Sequence, residues 1–117
     1  MTGYEAGDII LVPYPFGETA GGGKRPALVL SPSEFSQATG ELVIAQITSR
    51  PPPAARPGDY RIEGWKEANL PRPALVRARL ATIKTSLVLR RLGTLSEAEF
   101  REARNALTGA ILGWRPR

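Results

Sequence analysis

The chain has 117 residues, 42% of them hydrophobic, with a formal charge of +5 and a pI near 10.2. That suffices for one domain over residues 1–117, and the basic balance points to a polyanionic partner more than to a membrane. With no histidine and no cysteine, a Ser-His-Asp triad, a thiol nucleophile, a disulfide and any His- or Cys-ligated zinc are excluded, and catalysis is left to Arg, Lys, Asp, Glu, Tyr, Ser or Thr.

No apolar run approaches the roughly 20 residues of a membrane helix. Met1–Glu5 has neither the basic nor the apolar region of a signal peptide. The expectation is a cytoplasmic protein without a membrane partner.

Gly7–Val12 reads as a first strand, ended by Pro13. The loop Pro13–Gly23 carries Tyr14 and Phe16, which either stack on bases or fold back over the core as a lid. Gly21, Gly22 and Gly23 lead into Lys24 and Arg25, and Pro26–Ser31 reads as a second strand. Pro26 fits the first position of a strand, which need not donate to a ladder, and it pushes Arg25 into extended backbone. Arg25 then stands at the mouth of a strand, placed to meet an anion. The alternative is a hairpin loop capped by solvated charges.

Ser31–Phe35 is a turn signal with room for one helical turn. Leu42–Ser49 is the third strand. Its period of two puts Leu42, Ile44, Gln46 and Thr48 on one face and Val43, Ala45, Ile47 and Ser49 on the other. Arg50–Gly58 is a proline-rich loop, Asp59–Ile62 a short strand, and Trp65–Leu70 one helical turn stopped by Pro71.

Ala74–Ile83 is the next strand, with Arg77 and Arg79 on one face and Val76, Ala78 and Leu80 on the other. No acidic residue occurs from Ala68 to Ser96, where Arg72, Arg77, Arg79, Lys84, Arg90 and Arg91 fall. Such a stretch is a footprint for phosphates, a solvated face, or a set of partners for acids elsewhere. Leu87–Leu92 is a last short strand. Ser96 with Glu99 forms a capping box, Leu95 and Phe100 a staple, and Phe100, Ala103, Leu107, Ala110 and Ile111 one apolar helical face, stopped at Gly113. Short strands with hairpin-scale connections and one terminal helix predict a mainly β fold: a small, mostly antiparallel barrel with a C-terminal helix laid on it.

Six segments, in this order, resemble the MazF/PemK family of toxin endoribonucleases: Gly7–Phe16, Lys24–Ser31, Ala45–Ser49, Trp65–Leu70, Leu80–Leu87 and Leu92–Ser96. The resemblance runs from about Gly7 to Leu112. It implies an SH3-like barrel, a homodimer, and metal-independent cleavage of single-stranded RNA without a cofactor. In that reaction the 2′-hydroxyl attacks the adjacent phosphate, leaving a 2′,3′-cyclic phosphate and a 5′-hydroxyl. It also implies a cognate antitoxin.

By this resemblance Arg25 matches the family's catalytic arginine and Thr48 its catalytic threonine, with Ser49 as a helper. A fixed guanidinium stabilises the charge that builds on phosphate oxygens. Arginine stays protonated and is a poor base, so Glu18 in the glycine-rich loop is the candidate base. Tyr14, Phe16, Lys24, Gln46, Arg77, Arg79 and Lys84 are the candidate RNA contacts. Part of the family carries an acidic residue and a glutamine where this chain has Ala78 and Arg79, so that carboxylate is missing here. Two other readings stay open: a toxin that binds a protein target without cleaving anything, as the gyrase-inhibiting CcdB toxins of the same fold do, and an inactive RNA-binding barrel.

Overall fold

The apolar stretches become strands β1 (Asp8–Tyr14), β2 (Gly23–Val29), β3 (Glu41–Thr48), β4 (Tyr60–Ile62), β5 (Ala74–Lys84) and β6 (Arg90–Thr94), with helices α1 (Ser33–Thr39) and α2 (Glu97–Leu112). The computed structural model describes residues 3–14, 23–49 and 55–113. All the pairings are antiparallel, in the order β4-β5-β3-β2-β1-β6, and the sheet curls into a half-barrel.

Side-chain alternation sends apolar residues to both faces of this sheet. On one face Ile9, Leu28, Ala45, Ile47 and Val76 are buried with Ala103 and Leu107 of α2. On the other, Ile10, Val12, Ala27, Val29, Leu42 and Ile44 are buried, with Tyr4, Ala81, Ile83 and Val88 against them. Two buried faces make the central strands near-continuous apolar runs, as read from the sequence. They also pin the register, because a one-residue slip would exchange every side chain between the two cores.

Several boundaries differ from those expected. Pro13 does not end β1, which runs on to Tyr14. Beyond Leu11, the last residue paired with β6, β1 has β2 as its strand neighbour, and a proline is tolerated on such an edge. β2 begins at Gly23, so Lys24 and Arg25 are strand residues opposite Pro13 and Val12. The turn after Ser31 is the two-turn α1, closed by Gly40 at φ 72°, whose N–H donates to the Ser36 carbonyl (2.7 Å). The last strand, expected over Leu87–Leu92, is β6 from Arg90 to Thr94, and Leu87 instead ends the 3-10 turn Thr85–Leu87. Within Gly64–Leu70 the Ala68 N–H donates to the Gly64 carbonyl (2.9 Å), giving the expected helical turn, but Asn69 at φ 66° ends it before Pro71. Gly93 admits this turn against β6: a Cβ there would collide with the Ala68 carbonyl.

Ser96 caps α2 as expected, its Oγ accepting from the Glu99 N–H (3.1 Å). The Glu99 carboxylate reaches across to β4 instead of completing a capping box. It accepts from the Tyr60 hydroxyl (2.6 Å) and from the N–H groups of Glu63 (2.9 Å) and Gly64 (2.8 Å). Burial and then the Glu99 carboxylate raise the Tyr60 pKa well above the ordinary phenol value, which keeps this hydroxyl a donor. The buried stripe of α2 is shorter than its periodicity suggests. Ala103 and Leu107 are buried, whereas Ala110 is exposed and Ile111 and Leu112 are 56% and 72% exposed. Gly113 follows the helix at φ −82°, outside left-handed space, and a Cβ there would meet the Gly109 carbonyl oxygen at 2.5 Å.

β5 contains the main irregularity. Ala45 pairs with Leu80 and Ile47 with Val76, so Gln46 alone on β3 faces Arg77, Ala78 and Arg79 on β5. The surplus is even and leaves the alternation intact. The bulge is tied from outside by Asp59, just before β4, whose carboxylate takes both Arg77 Nε (3.1 Å) and Nη2 (2.9 Å). The Arg77 hydrogen bond holds the Asp59 carboxyl below its ordinary pKa.

Glu99→Ala removes three accepted bonds and is expected to cost about 2 kcal/mol in urea denaturation, against about 1 kcal/mol for Ser96→Ala. Asp59 has a depressed folded pKa, so its contribution is present above the unfolded carboxylate pKa and lost as pH falls through the folded one. The stability gap between wild type and Asp59→Asn should therefore hold at neutral pH and close below about pH 4.

Candidate active site

β2 and β3 pair at Ala27–Gln46, Leu28–Ala45 and Val29–Ile44. Pro26 has no N–H with which to extend this ladder. Continuing the same register by two residues sets Arg25 opposite Thr48, the last residue of β3. Cross-strand partners share a face. Arg25, Thr48 and Gln46 therefore lie on the face of Val12 and Ala27, away from α2. Arg25 is exposed and Thr48 half-buried. A guanidinium and a hydroxyl are thus placed side by side on two rigid strands.

Gln46 sits between Ala27 on one side and the β5 bulge on the other. Its Oε1 is buried and has no hydrogen-bond partner among the described residues. Such an orphaned acceptor costs about 1–3 kcal/mol and is a feature of strained or functional places. Alternation with Ala81 and Ile83 brings Arg79, exposed within the bulge, to the same face. Among the described residues no group of His, Cys, Asp and Glu side chains could hold a metal ion.

The remaining sequence candidates do not all join this group. Arg77 lies on the face but its guanidinium is committed to Asp59 and its side chain is only 14% exposed. Lys84 is at the far end of β5, opposite Glu41, and alternates to the other face. Lys24 is exposed in β2 and alternates away from Arg25. Ser49 lies one residue beyond β3 and lines a pocket on the α2 side of the sheet, with Pro26 and Ile47. Tyr14 is the last residue of β1, opposite Gly23. Phe16 and Glu18 fall outside the described residues.

Sequence reading missed the bulge, the Asp59–Arg77 clamp and this pocket. Only the acid-free run from Ala68 to Ser96 hinted that its arginines have different partners. Arg91 is one example: it pairs with Asp8 (3.3 Å) and stacks on the Tyr4 ring (5.6 Å), a structural role at the sheet edge.

The structure is similar to that of MazF from Deinococcus radiodurans, with a TM-score of 0.74 and 25% identity over 97% of this chain and 100% of that one. It is also similar to a mycobacterial endoribonuclease solved in complex with its cognate antitoxin, with a TM-score of 0.70 and 18% identity over 100% of both chains. A further structure, of an endoribonuclease from mycobacterial species, gives a TM-score of 0.75 at 17% identity over 98% of each chain. No curated protein sequence matches the chain. The sequence does match, over residues 5–111, the family described as PemK-like, MazF-like toxin of type II toxin-antitoxin system. With the curled six-stranded sheet and its C-terminal helix already in place, that match assigns the chain to the MazF/PemK family of type II toxin-antitoxin toxins.

Proposed function

We propose that this protein is a metal-independent endoribonuclease that cuts single-stranded RNA at short sequences, and that it works as a cytoplasmic homodimer held in check by a cognate antitoxin. The observation that supports the reading is the register that sets Arg25 across from Thr48 on one face of a family member's sheet. The antitoxin complexes of the similar mycobacterial and Deinococcus proteins support the partner.

In this reading the 2′-oxygen attacks phosphorus and the P–O5′ bond breaks, leaving a 2′,3′-cyclic phosphate and a 5′-hydroxyl. Arg25 donates to the non-bridging oxygens where charge accumulates and hydrogen-bonds the departing 5′-oxygen. Thr48 Oγ1 donates to the same phosphate. These groups are fixed before RNA arrives, so little reorganisation is needed in the transition state. Arg79 contacts a neighbouring phosphate, and the unmet Gln46 acceptor helps to seat the nucleotide. The proton of the 2′-hydroxyl leaves to a base, for which Glu18 is the candidate.

Purified protein incubated with a long single-stranded RNA in EDTA should give discrete cuts with 5′-hydroxyl ends. Arg25→Ala is expected to reduce the rate by about 100- to 1000-fold with the fold intact. Thr48→Ala should lower kcat more than it changes KM. Full activity in Arg25→Ala would refute the assigned site, and no cleavage of varied RNAs by wild type would refute the nuclease. Arg79→Ala should reduce the slope of log affinity against log salt by about 0.7, the value for one phosphate contact on a single strand.

A further inference from the structure

Three residues of β5, Arg77, Ala78 and Arg79, face the single residue Gln46 of β3, so the regular ladder is interrupted on that side. A strand interrupted in this way bends and re-aims its side chains. Its direction is then fixed from the far side. β4 pairs with β5 at Tyr60–Val76 and Arg61–Leu75, and carrying that register on sets Asp59 opposite Arg77 and Gly58 opposite Ala78. The contacts agree. The Asp59 carboxylate takes Arg77 Nε (3.1 Å) and Nη2 (2.9 Å), and a Cβ on Gly58 would stand 3.0 Å from the Ala78 Cβ and 2.9 Å from the Ala110 Cβ. Gly58 meets this approach at φ 91°, in left-handed space. Asp59 also closes the turn that carries both residues: its Oδ2 accepts from the Arg56 N–H (2.8 Å), and its own N–H donates to the Arg56 carbonyl (3.0 Å). Two of the three bulge residues are thus held from outside, and the third is Arg79, on the face of Gln46 and Thr48.

We propose that Asp59 and Arg77 are positioning residues for RNA binding: their ion pair holds the β5 bulge in one shape and so aims Arg79 at the phosphate it contacts. The Asp59 side chain is 2% exposed and that of Arg77 14%. A pair so far withdrawn from water gains little stability over apolar residues of similar size, but its two hydrogen bonds fix direction. Arg77 acts here through Arg79 and not on RNA, because its Nε and Nη2 are spent on Asp59. The inference rests on reading this face as an RNA site; it does not need cleavage. Charge and geometry give opposite signs for its test. Asp59→Asn adds one positive unit to a formal charge of +5, which by attraction alone tightens RNA binding. If the pair aims Arg79, the same substitution weakens it.

The probe is a fluorescein-labelled single-stranded RNA of mixed sequence with 2′-O-methyl groups throughout, which lacks the attacking hydroxyl and is not cut. Anisotropy with the full-length protein over a series of salt concentrations should show Asp59→Asn binding about three- to tenfold more weakly at low salt. Its slope of log affinity against log salt should fall by about 0.7, the loss of one phosphate contact. Arg79→Ala should show the same loss, and adding Asp59→Asn to it should change little further. Glu97→Gln, the same charge change on an exposed residue of α2, should not weaken binding. Asp59→Leu with Arg77→Met leaves the net charge unchanged and replaces the pair by apolar volume. It should fold with stability near that of wild type and still show the smaller slope, and it decides the matter where Asp59→Asn fails to fold. Unchanged or tighter binding by Asp59→Asn, losses that add in the double variant with Arg79→Ala, a wild-type slope in the apolar pair, or no binding by wild type would each overturn the proposal. If the binding results are as expected while wild type cleaves no RNA, the nuclease reading fails and the positioning role stands.

Discussion

The antiparallel register between β2 and β3 is the constraint on which the rest of the site depends. It is set by burial, since Leu28 with Ala45 and Val29 with Ile44 feed opposite cores. Slipping it by one would send those side chains to the wrong faces. Pro26 then ends the bonded ladder just where the two strands carry Arg25 and Thr48. A chemical pair is thereby held by structure that contains no chemistry: its precision comes from apolar packing further along the same strands.

The same sheet sorts its cations by environment. Asp59 holds Arg77, and Asp8 together with the Tyr4 ring holds Arg91. Arg79 lies on the face of Gln46 and Thr48, while Arg72 and Arg90 line a pocket behind it. A run of like charge in the chain is thus divided among three separate surroundings in space, because strand alternation and the β5 bulge distribute neighbours to different faces. The bulge also leaves Gln46 between a small neighbour, Ala27, and an interrupted ladder, where its carbonyl oxygen finds no donor among the described residues.

Glu99 joins the helix to this arrangement. A residue that could have closed its own helix end instead accepts from Tyr60, Glu63 and Gly64. Those bonds fasten α2 to β4, whose pairing with β5 lies beside the Asp59–Arg77 clamp. Stability of the terminal helix and shape of the site-bearing strand are therefore connected through one carboxylate.

Much was legible from local pattern alone. Alternation in Leu42–Ser49 gave the shared face of Gln46 and Thr48, and Ser96 announced the start of α2. The order of short motifs pointed to the family. These are properties of neighbours in the chain, where covalent geometry limits the choices. Strand ends were less legible at Pro13 and Arg25, because whether a proline is tolerated depends on which strand lies beside it. The opposition of Arg25 and Thr48, the capture of Arg77 by Asp59, the diversion of Glu99 and the pocket between Arg72 and Arg90 all join residues far apart in sequence. The composition of the chain determined that any catalysis must proceed without histidine or cysteine. Tertiary structure alone decided which arginine meets a carboxylate and which meets solvent, since that follows from the packing of both sheet faces.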